Sequence, residues 1–207
     1  MLTEQEEKMK ANEVAIILTG YQNEFCSPDG KLHGLIKDML VSNKIIANTV
    51  DLLGRAQKKG IKSYIASIVF TPGYPELHNP VGILKTIKEI GAFMKGTKGA
   101  EVIDELKPFK GYIKEVVGKT GLSCFGHTNL DGFLKENGVA TIAVAGLLTN
   151  VCVESTARAG YDSGYEVLIL KDCTGCRSQS WQEYAEQNIF PMLGKVMDHN
   201  EFLNSIQ

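Results

Sequence analysis

The sequence predicts an α/β fold: a three-layer α/β/α arrangement, with helices on both faces of a mostly parallel, doubly wound sheet. Short, nearly continuous runs of β-branched and aliphatic residues recur along the chain, which is the pattern of strands buried on both faces. Segments with apolar residues at helical spacing separate those runs. The 207 residues are 43% hydrophobic and 22% charged, enough apolar surface to close one core without disulfide or metal staples.

Strands are expected at 14–18, 61–70, 112–117, 141–147, 166–170 and, more weakly, 195–197. Helices are expected at 42–59, where Ile45, Ile46, Val50, Leu52, Leu53 and Ala56 fall at helical spacing, and at 130–137, 150–163 and 178–193. Strand and helix alternate, so the sheet is Rossmann-like, with about six strands. No repeat, low-complexity tract or charged linker divides the chain, which reads as a single domain over 1–207. The one long insertion, 71–100, opens with TPGYPELHNP and continues into 81–95, where Ile83, Ile87, Ile90 and Met94 share a helical face. It is expected to be a lid or an oligomer contact, or else a helix that covers the core.

The formal net charge of -2 and pI near 6.1 give no bulk electrostatic reason to bind nucleic acid or an anionic membrane. The first ten residues, MLTEQEEKMK, are too polar for the core of a signal peptide, and no later run has the roughly 18 apolar residues of a spanning helix. Five cysteines, an odd count, suggest reduced thiols and a cytoplasmic setting. The expected partners are a small-molecule substrate and further copies of the chain; no cofactor is implied.

Ligands of doubly wound sheets collect beyond the carboxyl ends of the strands, where helix N-termini present free N–H groups. The segment ATIAVAGLLTNVCVESTARAGYDSGYEV runs from a strand through a turn into a helix. Cys152 should therefore sit in the first helical turn, where partial positive charge favours a thiolate. A lone helical cysteine is more often a small buried hydrophobe, so placement alone does not assign chemistry.

The stretch GLLTNVCVESTARAGYDSGYEV resembles the isochorismatase-like cysteine hydrolases, and the resemblance makes Cys152 the nucleophile. It further implies a cis peptide bond between Leu147 and Leu148 and an oxyanion hole formed by the N–H groups of Leu148 and Cys152. A second block, Lys119 followed by TGLSCFGHTNL, resembles the family's lysine segment. An isolated lysine is ordinarily a solvated surface group, but the spacing to Ser123, Phe125, Thr128 and Leu130 makes Lys119 the candidate catalytic lysine. The third block departs from the family. In VAIILTGYQNEF, Gly20 stands where the family has an aspartate, although Gln22, Asn23 and Phe25 match. The resemblance also places Gln22, Phe25 and Phe125 about the substrate pocket.

In the family that aspartate takes the thiol proton and returns it to the leaving group, help worth roughly two to four powers of ten in rate. Gly20 allows three readings: a deliberately altered chain, a natural member that recruits another base such as Glu24, Asp29 or His127, or a protein that binds without turnover. Vinyl-ether hydrolysis, which depends on that carboxylate, is disfavoured. A nicotinamidase-type metal cluster is disfavoured too, because FTPGYPELHNP offers His78 alone and no aspartate; no metal is expected. What is left is hydrolysis of a small amide, carbamoyl or related acyl compound through a thioester. The competing class is a small-molecule-binding or assembly protein on the same fold. Cys173 and Cys176 have redox-motif spacing but follow the fifth strand, away from the place of a thioredoxin-like motif. His33, His127 and His199 are expected at the surface or in hydrogen bonds.

Overall fold

The computed structural model describes residues 8–207, so most of the polar N-terminal stretch lies outside the described residues. Six strands form one sheet: β1 (Val14–Thr19), β2 (Lys62–Ala66), β3 (Ile113–Glu115), β4 (Thr141–Leu147), β5 (Glu166–Gly175) and β6 (Gly194–Met197). All pair in parallel, in the order β3-β2-β1-β4-β5-β6. The chain winds outward from β1 to β3, then crosses to the other side of β1 for β4. That reversal puts the topological switch point at the carboxyl ends of β1 and β4, where doubly wound sheets bind ligands.

Every residue of β1 and β4 is buried, as the continuous apolar runs require. Alternate side chains serve opposite faces. Val14, Ile16 and Leu18 join a core with Leu52 and Leu53 of α3 (Ile45–Lys58) and Phe202 and Leu203 of α8 (His199–Asn204). Ala15 and Ile17 join a second core with Leu130 and Leu134 of α5 (Leu130–Glu136) and Ala157 of α6 (Glu154–Asp162). The two cores establish the three layers. Three shorter helices complete the set used here: α1 (Asn23–Cys26), α2 (Lys37–Ser42) and α7 (Gln179–Tyr184). Among the described residues no helix is long and apolar enough to cross a membrane.

Of the boundaries that differ from the sequence expectation, three have a physical cause on view. β2 stops at Ala66 instead of running to 70, because the Gln22 side chain takes both the N–H and the C=O of Ile68 out of the ladder. β5 runs on to Gly175, since its pairing with β4 resumes past an irregularity through Gly146 and Leu147. The helix expected over 81–95 is α4 (Gly82–Ile90). It ends where Gly91 turns left-handed at φ +68° and Ala92 donates to Ile87 O. Met94 thereby leaves the helix and bridges Phe70. The insertion lies on the first core, with Ile87, Ala92 and Phe93 buried.

Candidate active site

Three segments meet at the switch point: the end of β1 at Gly20, the loop after β3 that carries Lys119, and the turn after β4 that carries Cys152. Gly146 at φ +141° lets the two strand ends converge, since a Cβ there would fall 1.9 Å from Thr19 O. The Leu147–Leu148 peptide bond is cis. Cys152 follows in a wide turn, Thr149–Val153, where Val153 N–H donates to Leu148 O at 3.2 Å. It therefore precedes α6 and does not occupy the first regular turn expected from the sequence. Asn150, at φ -89° and ψ +17°, departs from helical geometry and sets the turn apart.

Lys119 Nζ lies 3.7 Å from Cys152 Sγ and donates to Gly121 O at 2.8 Å. The residues are 1% and 3% exposed. At that burial the ammonium–sulfur interaction is screened far less than a surface pair. Burial pushes four thiols up: Cys26 to about 12, Cys124 and Cys176 above the ordinary range, and Cys173 well above it. All five are unpaired, including Cys173 and Cys176.

Gly20 has φ +74°, and a Cβ there would lie 2.2 Å from Leu147 O. The backbone is thus shaped for glycine and has no space for the aspartate side chain that the family pattern anticipates. The polar residues that follow are engaged elsewhere. Gln22 Nε2 donates to Ile68 O and Ala100 O, and its Oε1 accepts Ile68 N–H. Asn23 Nδ2 donates to Lys98 O. Glu24 is buried, with its two oxygens accepting Phe93 N–H and Lys31 N–H. The segment ties the insertion to the sheet.

The residues expected about the pocket have partners of their own: Gln22 clamps the backbone of Ile68 and Ala100, Phe25 is buried against Phe93, and Phe125 packs beside Tyr165 with the second core. Of the alternative bases, Glu24 is consumed by backbone N–H groups, and Asp29 is a surface group paired with Lys98 at 3.2 Å. His127 is exposed and lines a cavity of about 710 Å³ that is also bordered by Ser67, Lys95 and Lys119. His78 is exposed, and His33 Nδ1 lies 2.9 Å from Phe25 O.

Two arrangements escaped the sequence reading. Thr149 Oγ1 donates to Gln182 Oε1 at 2.6 Å, tying the cysteine turn to α7 across 33 residues. His199 bridges Asp172 of β5, at 2.5 Å, and Asp51 of α3, at 3.1 Å. Among the described residues Asp172, Cys173 and His199 form the one cluster of metal-ligating types. Two donors on a tetrahedral zinc would stand about 3.3 Å apart given its bond lengths, so the His199–Asp172 contact is a hydrogen bond that locks α8 onto the sheet.

The isochorismatase domain family matches residues 14–201. Ureidoacrylate amidohydrolase RutB of Stutzerimonas stutzeri (strain A1501) is 31% identical over 213 residues, 95% of this chain and 84% of that protein. In fold, a cysteine hydrolase from Pseudomonas syringae pv. phaseolicola 1448A superposes with TM-score 0.84 at 24% identity, covering 96% of this chain and 94% of that one. N-carbamoylsarcosine amidase from Thermoplasma acidophilum superposes with TM-score 0.71 at 24% identity, covering 93% and 98%. With its parallel sheet, its switch-point topology and a match over nearly its whole length, the chain belongs to the isochorismatase family of hydrolases.

Proposed function

We propose that this chain hydrolyses a C–N bond of a small amide, carbamoyl or related acyl compound through a thioester on Cys152. The observation that carries the reading is the 3.7 Å contact of Lys119 Nζ with Cys152 Sγ between two buried residues. An ammonium so placed favours the thiolate, the nucleophilic form. In this mechanism the sulfur attacks the carbonyl carbon, a C–S bond forms, and the N–H groups of Leu148 and Cys152 hold the resulting oxyanion. Collapse breaks the C–N bond. Lys119, in contact with the sulfur, passes a proton to the leaving nitrogen and regains one from the water that cleaves the thioester.

The named activity of the RutB relatives makes ureido acids the first compounds to try. Five unpaired thiols support a reducing, cytoplasmic setting. A second reading, binding without turnover, draws on Gly20, which leaves the end of β1 without a carboxylate. Ammonia release from a panel of ureido acids and simple amides decides between them, run on this chain and on Cys152→Ala. Release by the parent alone supports the hydrolase. If the panel yields nothing with the parent, and Cys152 alkylates no faster than free cysteine, the enzyme reading fails.

A further inference from the structure

Lys119 and Cys152 lie 33 residues apart on separate elements, yet their terminal atoms stand 3.7 Å from each other. Such a gap has to be set by something that holds both segments. Lys119 Nζ is tethered to its own loop through Gly121 O. Three residues further on, Cys124 N–H donates to Thr156 Oγ1 at 3.0 Å, and the same hydroxyl donates to Cys152 O at 2.7 Å. Thr128 Oγ1 holds the C=O of Cys124 at 2.6 Å. Both backbone groups of Cys124 are thereby fixed by threonine hydroxyls.

A threonine in a helix often turns its hydroxyl back to the carbonyl four residues earlier, and such a bond alone says little. Here the bond aims the oxygen lone pair at a different segment. With its one proton committed to Cys152 O, the hydroxyl can only accept from Cys124 N–H. Thr156 is fully buried, so water cannot replace either bond.

We propose that Thr156 is a positioning residue that sets the Lys119 ammonium against the Cys152 sulfur. The proposal rests on the cysteine-hydrolase reading of this site. Its hydroxyl is the point at which the lysine loop and the nucleophile turn share one hydrogen-bonded circuit. Removing the hydroxyl frees the loop to drift, and an ammonium displaced by an ångström or two supports the thiolate less well.

The test is iodoacetamide alkylation of the full chain, followed by mass mapping of Cys152, from pH 6 to 10. Thr156→Val should slow alkylation at pH 7 by about tenfold or more and move the rise in rate to higher pH, as expected when a nearby cation is withdrawn. Thr156→Ser, which keeps the hydroxyl, should return to within about threefold of the parent, the size of a small geometric change. Tyr112→Phe removes a hydroxyl bonded to Ile61 O at the far end of the sheet. It should lower the melting temperature and leave Cys152 alkylation as it was. If Thr156→Val fails to fold, Thr156→Ala removes the same group without added bulk and is read the same way. A fast parent with an equally fast valine or alanine variant, or a serine variant as slow as valine, overturns the proposal and leaves the hydrolase reading intact. A parent no faster than free cysteine overturns both.

Discussion

Replacing Gly20 by aspartate, the change that would complete the family pattern, should damage this protein instead of restoring it. A side chain at φ +74° is strained by about 1–2 kcal/mol. The added Cβ would also lie 2.2 Å from Leu147 O, well inside contact distance, so β1 or the Leu147–Leu148 peptide has to move. Forced backbone shifts of this kind cost about 1–3 kcal/mol. The lower conformational entropy of the unfolded variant offsets less than about 1 kcal/mol of the total. A net loss of about 2–4 kcal/mol is therefore expected for Gly20→Ala and Gly20→Asp alike, and a chain of this size converts it to a melting temperature about 4–16 °C lower. Urea unfolding and thermal melts of both variants measure the loss, and ammonia release measures activity. The reasoning is refuted if Gly20→Asp is as stable as the parent and gains turnover, since the strand end must then relax at no cost.

Three further outcomes follow from other parts of the structure. Lys119→Met should slow alkylation of Cys152 at pH 7 by at least about fivefold, because a full charge at 3.7 Å contributes from about 1 kcal/mol in water-like surroundings to about 4 kcal/mol at protein-like screening; mass mapping after timed labelling reads it, and parent-like labelling removes the lysine from the proposed chemistry. Gln22→Leu leaves the buried backbone groups of Ile68 and Ala100 unmatched and should cost on the order of 2–4 kcal/mol, with hydrogen exchange quickening at 68 and across 98–101. Burial raises the Glu186 carboxyl above its ordinary value of 4.5. Below that value folded and unfolded chains are both protonated and stability is complete; it falls as pH rises through the raised folded value, because the unfolded chain ionises more readily. Glu186→Gln should accordingly exceed the parent in urea midpoint at pH 7, with the difference closing at pH 4. A gap that widens towards acid would show the carboxylate to be stabilising.

The layers were legible because strand burial writes itself into composition: β1 and β4 are buried at every position and largely apolar, the pattern of strands covered on both faces. Cys152 and Lys119 were legible through their motifs, and the fold brings them together. Orientation was harder to read. Gln22, Phe25 and Phe125 lie close in sequence to site residues, yet proximity along the chain does not say which way a side chain points. Gln22 turns to Ile68, and Phe125 belongs to the core on the opposite face from Cys152. The end of β2 was misplaced for a related reason, since no local pattern reveals that a side chain 46 residues away will occupy the backbone of Ile68. Gly20 was read as a missing aspartate, whereas its positive φ and the oxygen of Leu147 make it a fitted glycine, a property that depends on two strand ends meeting.

The same bonds explain how the segment after β1 can match the family while lacking the carboxylate. Gln22, Asn23 and Glu24 each hold backbone groups of the insertion, so folding by itself gives a reason for their identities. Position 20 faces the strand end at Leu147, where the backbone geometry fits a glycine. In the mechanism we propose, Gly20 offers no side chain to take the thiol proton, so the thiolate is favoured through the charge of Lys119. That places the whole demand on the distance between Lys119 and Cys152, and hence on whatever holds the lysine loop and the cysteine turn in register.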